Sequence, residues 1–132
     1  MKYLLDSHTL IWSIISVSEL SSDCRKIIEN SNNEVLASHV SFWEISMKYA
    51  LGKIDLNRIK PEQIPTLCRQ MKIGILSLSE EVVSTSYMLP YEIHRDPFDR
   101  MLAWQAIKHD LILLSKDKAL HAFKRHGLKI AW

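Results

Sequence analysis

Met1-Lys2-Tyr3-Leu4-Leu5-Asp6 opens the chain with a short apolar run that stops at an acid. A continuous run of this kind, with no polar alternation, suits a strand covered on both faces of a parallel sheet. Leu10, Ile11, Trp12, Ile14 and Ile15 then mark a short helix over Thr9 to Ile15. The same alternation recurs along the chain. Further strands are expected at Glu34 to Ser38, Ile75 to Leu78, Leu111 to Leu114 and Leu128 to Trp132. Ser21 or Ser22 caps a helix whose Ile27 and Ile28 face inward. Ser41 opens one that runs to about Leu51, with Gly52 just past its end as a left-handed cap. Pro61 starts another, with Leu67 and Met71 on its inner side, although Pro65 falls in its first turns. Ser79-Glu80-Glu81 signals a helix start and Pro90 its end, and Asp117 starts a short helix to about Arg125. Strands alternating with helices predict a parallel sheet covered on both faces.

The bulk numbers agree with one domain spanning residues 1–132. A chain of this length buries a real core, and 47% hydrophobic with 24% charged residues argues against disorder. A net charge of +2 permits an anionic partner without demanding one. Cys24 and Cys68 form no metal or redox spacing and read as free thiols of a reducing compartment. Asp6 and His8 interrupt the apolar N-terminus, and no small-residue cleavage site follows, so a signal peptide is not expected. No stretch approaches the roughly 20 apolar residues of a membrane helix. The pattern is that of a soluble, cytoplasmic protein.

Chemistry concentrates in His94-Arg95-Asp96-Pro97-Phe98-Asp99-Arg100. Asp96 is a good N-cap, and Pro97 at the first helical position gives up a donor that would have no partner there. This helix runs to about His109, with Asp99 in its first turn and the small Ala103 four residues on, which leaves room for an approach to the carboxylate. In parallel sheets, ligands bind beyond the carboxyl ends of the strands, a rule that selects Asp6 and Asp117.

Each acid also has a structural reading among the 15 of the chain. Asp6 and Asp117 can cap helices, and Asp99 can complement a helix dipole. Glu44 stands three residues after Ser41, the spacing of a capping box. Carboxylates gathered at one end of a sheet, however, raise each other's pKa unless a cation joins them. An oxygen-only cluster without cysteine selects Mg²⁺ or Mn²⁺ over zinc, and such clusters usually serve phosphoryl chemistry. Lys48, four residues after Glu44, reads first as its helical ion-pair partner. Ser7, Lys48, Arg95, Arg100, Ser115 and Lys116 are candidate contacts to substrate phosphate, and Lys118 adds positive charge nearby. His8 and His94 read mainly as structural histidines.

Asp6-Ser7-His8, Ser41-Phe42-Trp43-Glu44-Ile45 with Lys48 and Gly52-Lys53, His94 to Arg100, and Ser115-Lys116-Asp117 occur in the order and spacing of the PIN domain. Over essentially its whole length the chain resembles VapC-type toxins of bacterial toxin–antitoxin pairs, and Asp-Pro-Phe-Asp-Arg is the most specific element. Ser7 and Ser115 stand where that family usually has Thr, and Trp104 where a smaller aliphatic residue is common. The resemblance implies a three-layer α/β/α sandwich with a central, mainly parallel sheet and a Mg²⁺-dependent endoribonuclease. It carries metal-ligand or catalytic roles onto Asp6, Glu44, Asp99 and Asp117. A cognate antitoxin that occupies the acidic site, an RNA substrate such as tRNA, and a homodimer are implied with it. Two other classes compete. A receiver-type signalling domain expects adjacent acids after the first strand, and a haloacid-dehalogenase-type phosphatase expects Asp-x-Asp. Asp6-Ser7-His8 supplies neither. A non-catalytic module of the same fold would not need its acids intact.

Overall fold

A computed structural model describes residues 1–91 and 93–132. Five strands form one sheet: β1 (Lys2–Leu5), β2 (Glu34–Ser38), β3 (Gly74–Leu76), β4 (Ile112–Leu114) and β5 (Lys129–Ala131). Their order is β3-β2-β1-β4-β5, and every pairing is parallel. The helices are α1 (Ser7–Ile15), α2 (Ser22–Glu29), α3 (His39–Ala50), α4 (Ile64–Gln70), α5 (Glu80–Thr85) and α6 (Pro97–Lys108). The chain winds outward from β1 to β3, then returns to lay β4 on the other side of β1. That reversal makes the carboxyl ends of β1 and β4 the topological switch point, the place where an open parallel sheet leaves a crevice.

Alternation along each strand divides the core in two. Leu4 and Leu113 face one layer with Val82, Phe98, Leu102, Leu120 and Phe123. Tyr3, Leu5, Val35, Ala37 and Leu114 face the other, with Leu10, Cys24, Ile45, Ile64 and Cys68. Each fully buried leucine contributes about 2 kcal/mol. Between exposed charged residues at their starts (Lys2, Glu34, Lys129) and their ends the strands are apolar because both faces are covered, and the result is the expected three-layer sandwich. Both cysteines are buried and free. Among the described residues no helix is long and apolar enough to cross a membrane.

Four local expectations are corrected. The third helix starts at His39, not Ser41, because Ser38 ends β2 and itself caps α3, its Oγ accepting from the Val40 amide at 3.0 Å. Ser41 is therefore buried inside α3, and the capping box with Glu44 does not form. Pro61 begins a 3₁₀ turn (Pro61–Gln63) before α4, where Pro65 is tolerated because first-turn residues have no intrahelical acceptor for their amides. The inward residues of α4 are Ile64 and Cys68, while Met71 is 41% exposed. Finally, Lys118–His126 is a 3₁₀ helix rather than an α-helix. Its buried residues, Leu120 and Phe123, are three apart, and three residues per turn stacks them on one face. Gly52 has φ of +68°, the left-handed conformation expected of it.

Candidate active site at the carboxyl ends of β1 and β4

Asp6 follows β1 directly and stands 5% exposed at the head of α1. Its Oδ1 accepts from the Thr9 amide at 2.8 Å, and its own amide donates to the Leu114 carbonyl at 3.1 Å, which ties β1 to the end of β4. Burial pushes the Asp6 carboxyl above its ordinary value, against hydrogen bonds from Ser115 and Thr9 that pull it down. Across the switch point Asp117 caps the 3₁₀ helix, accepting from the Ala119 amide at 2.9 Å, and remains exposed. Asp6, His8, Trp12, Lys116 and Asp117 line one open cleft of about 280 Å³.

The start of α6 forms as its sequence predicts. Asp96 Oδ1 accepts from the amides of Phe98 at 2.9 Å and Asp99 at 3.0 Å. This places Asp99 in the first turn, where His94 Nε2 lies 3.0 Å from its Oδ2. Burial raises the Asp99 carboxyl; the His94 hydrogen bond pulls it down, and the charges of Asp96 and Glu44 push it up again. Glu44 is 3% exposed on the inner face of α3. Its Oε1 accepts from Ser7 Oγ at 2.6 Å and its Oε2 from Lys48 Nζ at 2.6 Å. Burial disfavours the charged Lys48 ammonium, but Glu44, Asp96 and Asp99 outweigh it and raise the pKa. Lys48 is thus the cation the acidic cluster already holds.

Donor atoms of His94, Asp99 and Asp117 lie within 4.8 Å of one another. An ion whose ligands stand about 2.1 Å away spans such a set with small side-chain adjustments, and carboxylates with one imidazole suit a divalent cation. Asp6 and Glu44 flank this triangle without joining it. His94, read from sequence mainly as a structural histidine, is hydrogen-bonded here to Asp99 and joins the triangle. A histidine in a loop has no periodic neighbours to reveal its direction, and only its place just before Asp96-Pro97 hinted at the site.

Three of the six side chains expected at phosphate turn inward. Ser7 and Ser115 are 5% and 1% exposed; Ser7 serves Glu44, while Ser115 serves Asp6 and accepts from the Asp117 amide at 3.1 Å. Arg100 is 5% exposed and donates to the carbonyls of Pro90 at 2.8 Å, His94 at 2.9 Å and Leu89. It also stacks 3.7 Å from the Tyr91 ring centroid. Removing it takes the guanidinium donors from three carbonyls, so Arg100→Ala should lose about 3 kcal/mol of stability in urea denaturation. Arg95, Lys116 and Lys118 remain exposed, and Lys48 is partly so.

The raised carboxyls carry a sign that can be checked. Asp6 and Asp99 bind protons more tightly in the folded chain than at their ordinary value of 3.8. Metal-free stability should therefore fall as pH rises from about 3.8 through the folded values. Asp6→Asn keeps the cap on α1 and removes the buried charge. It should raise the metal-free melting temperature at pH 7.5 and flatten this loss, as read by calorimetry; a lower melting temperature would contradict the arrangement.

A family model described as the PIN domain matches residues 3–126. Ribonuclease VapC22 of Mycobacterium tuberculosis is 26% identical over 133 residues, covering 98% of this chain and 97% of that protein. The chain shares its fold with VapBC2 from Rickettsia felis bound to a DNA fragment from their promoter, at a TM-score of 0.66 and 19% identity over 100% of this chain and 99% of that one. VapBC-1 from nontypeable Haemophilus influenzae is similar too, with a TM-score of 0.64 and 16% identity over 99% and 97% of the two chains.

Proposed function

The chain belongs to the PIN-domain family, and on that premise we propose that it is a divalent-metal-dependent endoribonuclease, the toxin of a toxin–antitoxin pair. The observation that carries this reading is the convergence of His94, Asp99 and Asp117, flanked by Asp6 and Glu44, at the switch point of the sheet. The similarity to a protein named a ribonuclease over nearly the whole of both chains supports it. Mg²⁺ or Mn²⁺ is the cofactor, and structured RNA such as tRNA is the substrate class.

His94, Asp99 and Asp117 would hold the cation, with Asp6 and Glu44 completing the negative field around it. A divalent cation supplies Lewis acidity, acidifying water and offsetting charge that builds on the phosphate. Glu44 is held from both oxygens, by Ser7 and Lys48, and as a general base it would take the proton of an attacking water. Lys116, at the rim of the cleft, and Arg95, exposed beside α6, attract the RNA backbone.

A cognate antitoxin is the protein partner. Trp43, Met47 and Leu51 repeat every four residues along α3 and just beyond it, and are 63%, 37% and 59% exposed. Trp43 packs edge-on against Phe98 of α6, with centroids 5.0 Å apart, so this apolar stripe adjoins the helix that carries Asp99. Exposed apolar surface beside an acidic cleft suits a partner that inserts a basic side chain, and also a second copy of the chain in a homodimer. Induced expression in a bacterial host without the antitoxin should stop growth and fragment RNA. Unimpaired growth with intact RNA would count against the toxin assignment.

A further inference from the structure

An all-oxygen site would take Mg²⁺ and Mn²⁺ alike, but the structure adds a nitrogen. We infer that His94 is a direct ligand that biases the metal site toward Mn²⁺ over Mg²⁺. This rests on the metal-dependent reading above and goes beyond it, because it assigns ion preference to one side chain.

His94 Nε2 stands 3.0 Å from Asp99 Oδ2, a hydrogen-bond distance. It is also close to the separation of about 3.0 Å between adjacent ligands held at right angles about 2.1 Å from an ion. One geometry therefore serves both states of the site. The cation takes the place of the proton the two groups otherwise share. His94 and Asp99 side chains are 22% and 23% exposed, so an ion can reach them from solvent.

The ring is built in place from two further directions. Its centroid lies 6.3 Å from that of Phe123, and the His94 carbonyl accepts from the buried Arg100 guanidinium at 2.9 Å. Arg100 is thereby a positioning residue, since it fixes the loop that aims the imidazole. Mn²⁺, a transition ion, tolerates an imidazole nitrogen among its carboxylate ligands, whereas Mg²⁺ keeps oxygen ligands and water. His8 lines the neighbouring cleft with Asp6 and Asp117 and is the rival nitrogen donor.

The test uses Mn²⁺ alone on the purified full chain. Pulsed electron paramagnetic resonance of bound Mn²⁺ should show an imidazole nitrogen coupling in the wild type. His94→Gln keeps an amide donor for Asp99 but removes the imidazole. It should abolish the coupling and weaken Mn²⁺ binding about tenfold or more, while Mg²⁺ affinity changes by less than about threefold. Equal losses for both ions would overturn the inference, reducing His94 to a residue that orients Asp99. Coupling that survives His94→Gln would move the role to another histidine such as His8. Mn²⁺ bound without any nitrogen coupling would sink the His94 assignment alone and leave the nuclease reading standing. No Mn²⁺ binding, with cleavage that persists in chelator, would overturn both.

Discussion

Asp99→Asn is expected to slow RNA cleavage at least about 10³-fold, a loss of about 4 kcal/mol in transition-state stabilisation, without lowering thermal stability. Asp99 is the member of the cluster with the most at stake. It touches His94 directly, lies within reach of Asp117, and feels the charges of Asp96 and Glu44. Burial already holds its carboxyl above the ordinary value, so the metal-free protein bears an electrostatic cost there that a cation would relieve. Asparagine keeps the shape and an oxygen facing His94 but removes the charge. A variant that folds as well as the wild type and fails to cut RNA would separate function from structure, the usual trade between stability and activity. The rate would be read on a labelled RNA at saturating Mg²⁺, with melting followed by circular dichroism.

Glu44→Gln is the second large effect, expected to cost about 10²-fold or more in rate, the scale of a lost general base. Its logic depends on the corrected α3 boundary. Had Glu44 closed a capping box with Ser41, glutamine would have replaced it almost silently. Instead both oxygens are committed across the structure, to Ser7 of α1 and to Lys48 one turn on. Glutamine can still accept from Ser7, so the contact of α1 with α3 survives. The charged pairing with Lys48 does not, and the exposed side of Lys48 can turn to solvent. Stability should therefore fall by about 1–3 kcal/mol, the scale of a part-buried charge-assisted hydrogen bond, which leaves the variant folded. Full activity in the variant would remove Glu44 from the chemistry and leave Asp99, Asp117 and His94 to carry it.

The five strands were legible because burial on both faces leaves an uninterrupted apolar signature, and Leu4 and Leu5 needed no partner to be recognised. Asp96-Pro97 was legible because a cap and its proline are neighbours in sequence. Features that depend on distant chain were not. Ser38 doubles as the end of β2 and the cap of α3, with no loop between, while Ser41-Phe42-Trp43-Glu44 imitates a cap one turn later. Arg100 resembles a free phosphate contact until the carbonyls of residues 89, 90 and 94 are seen folded around it. Ser7 and Ser115 kept their hydroxyl chemistry but spend it on carboxylates inside the molecule. His94 gained its meaning only when the loop before α6 brought it to Asp99.

The most direct measurement compares wild type with Asp99→Asn on the same structured RNA, first in chelator and then with Mg²⁺ or Mn²⁺ restored. The site described here predicts no cleavage by either protein in chelator, and cleavage by the wild type alone once the ion returns. Wild-type cleavage that persists in chelator, or equal cleavage by folded Asp99→Asn, would contradict it.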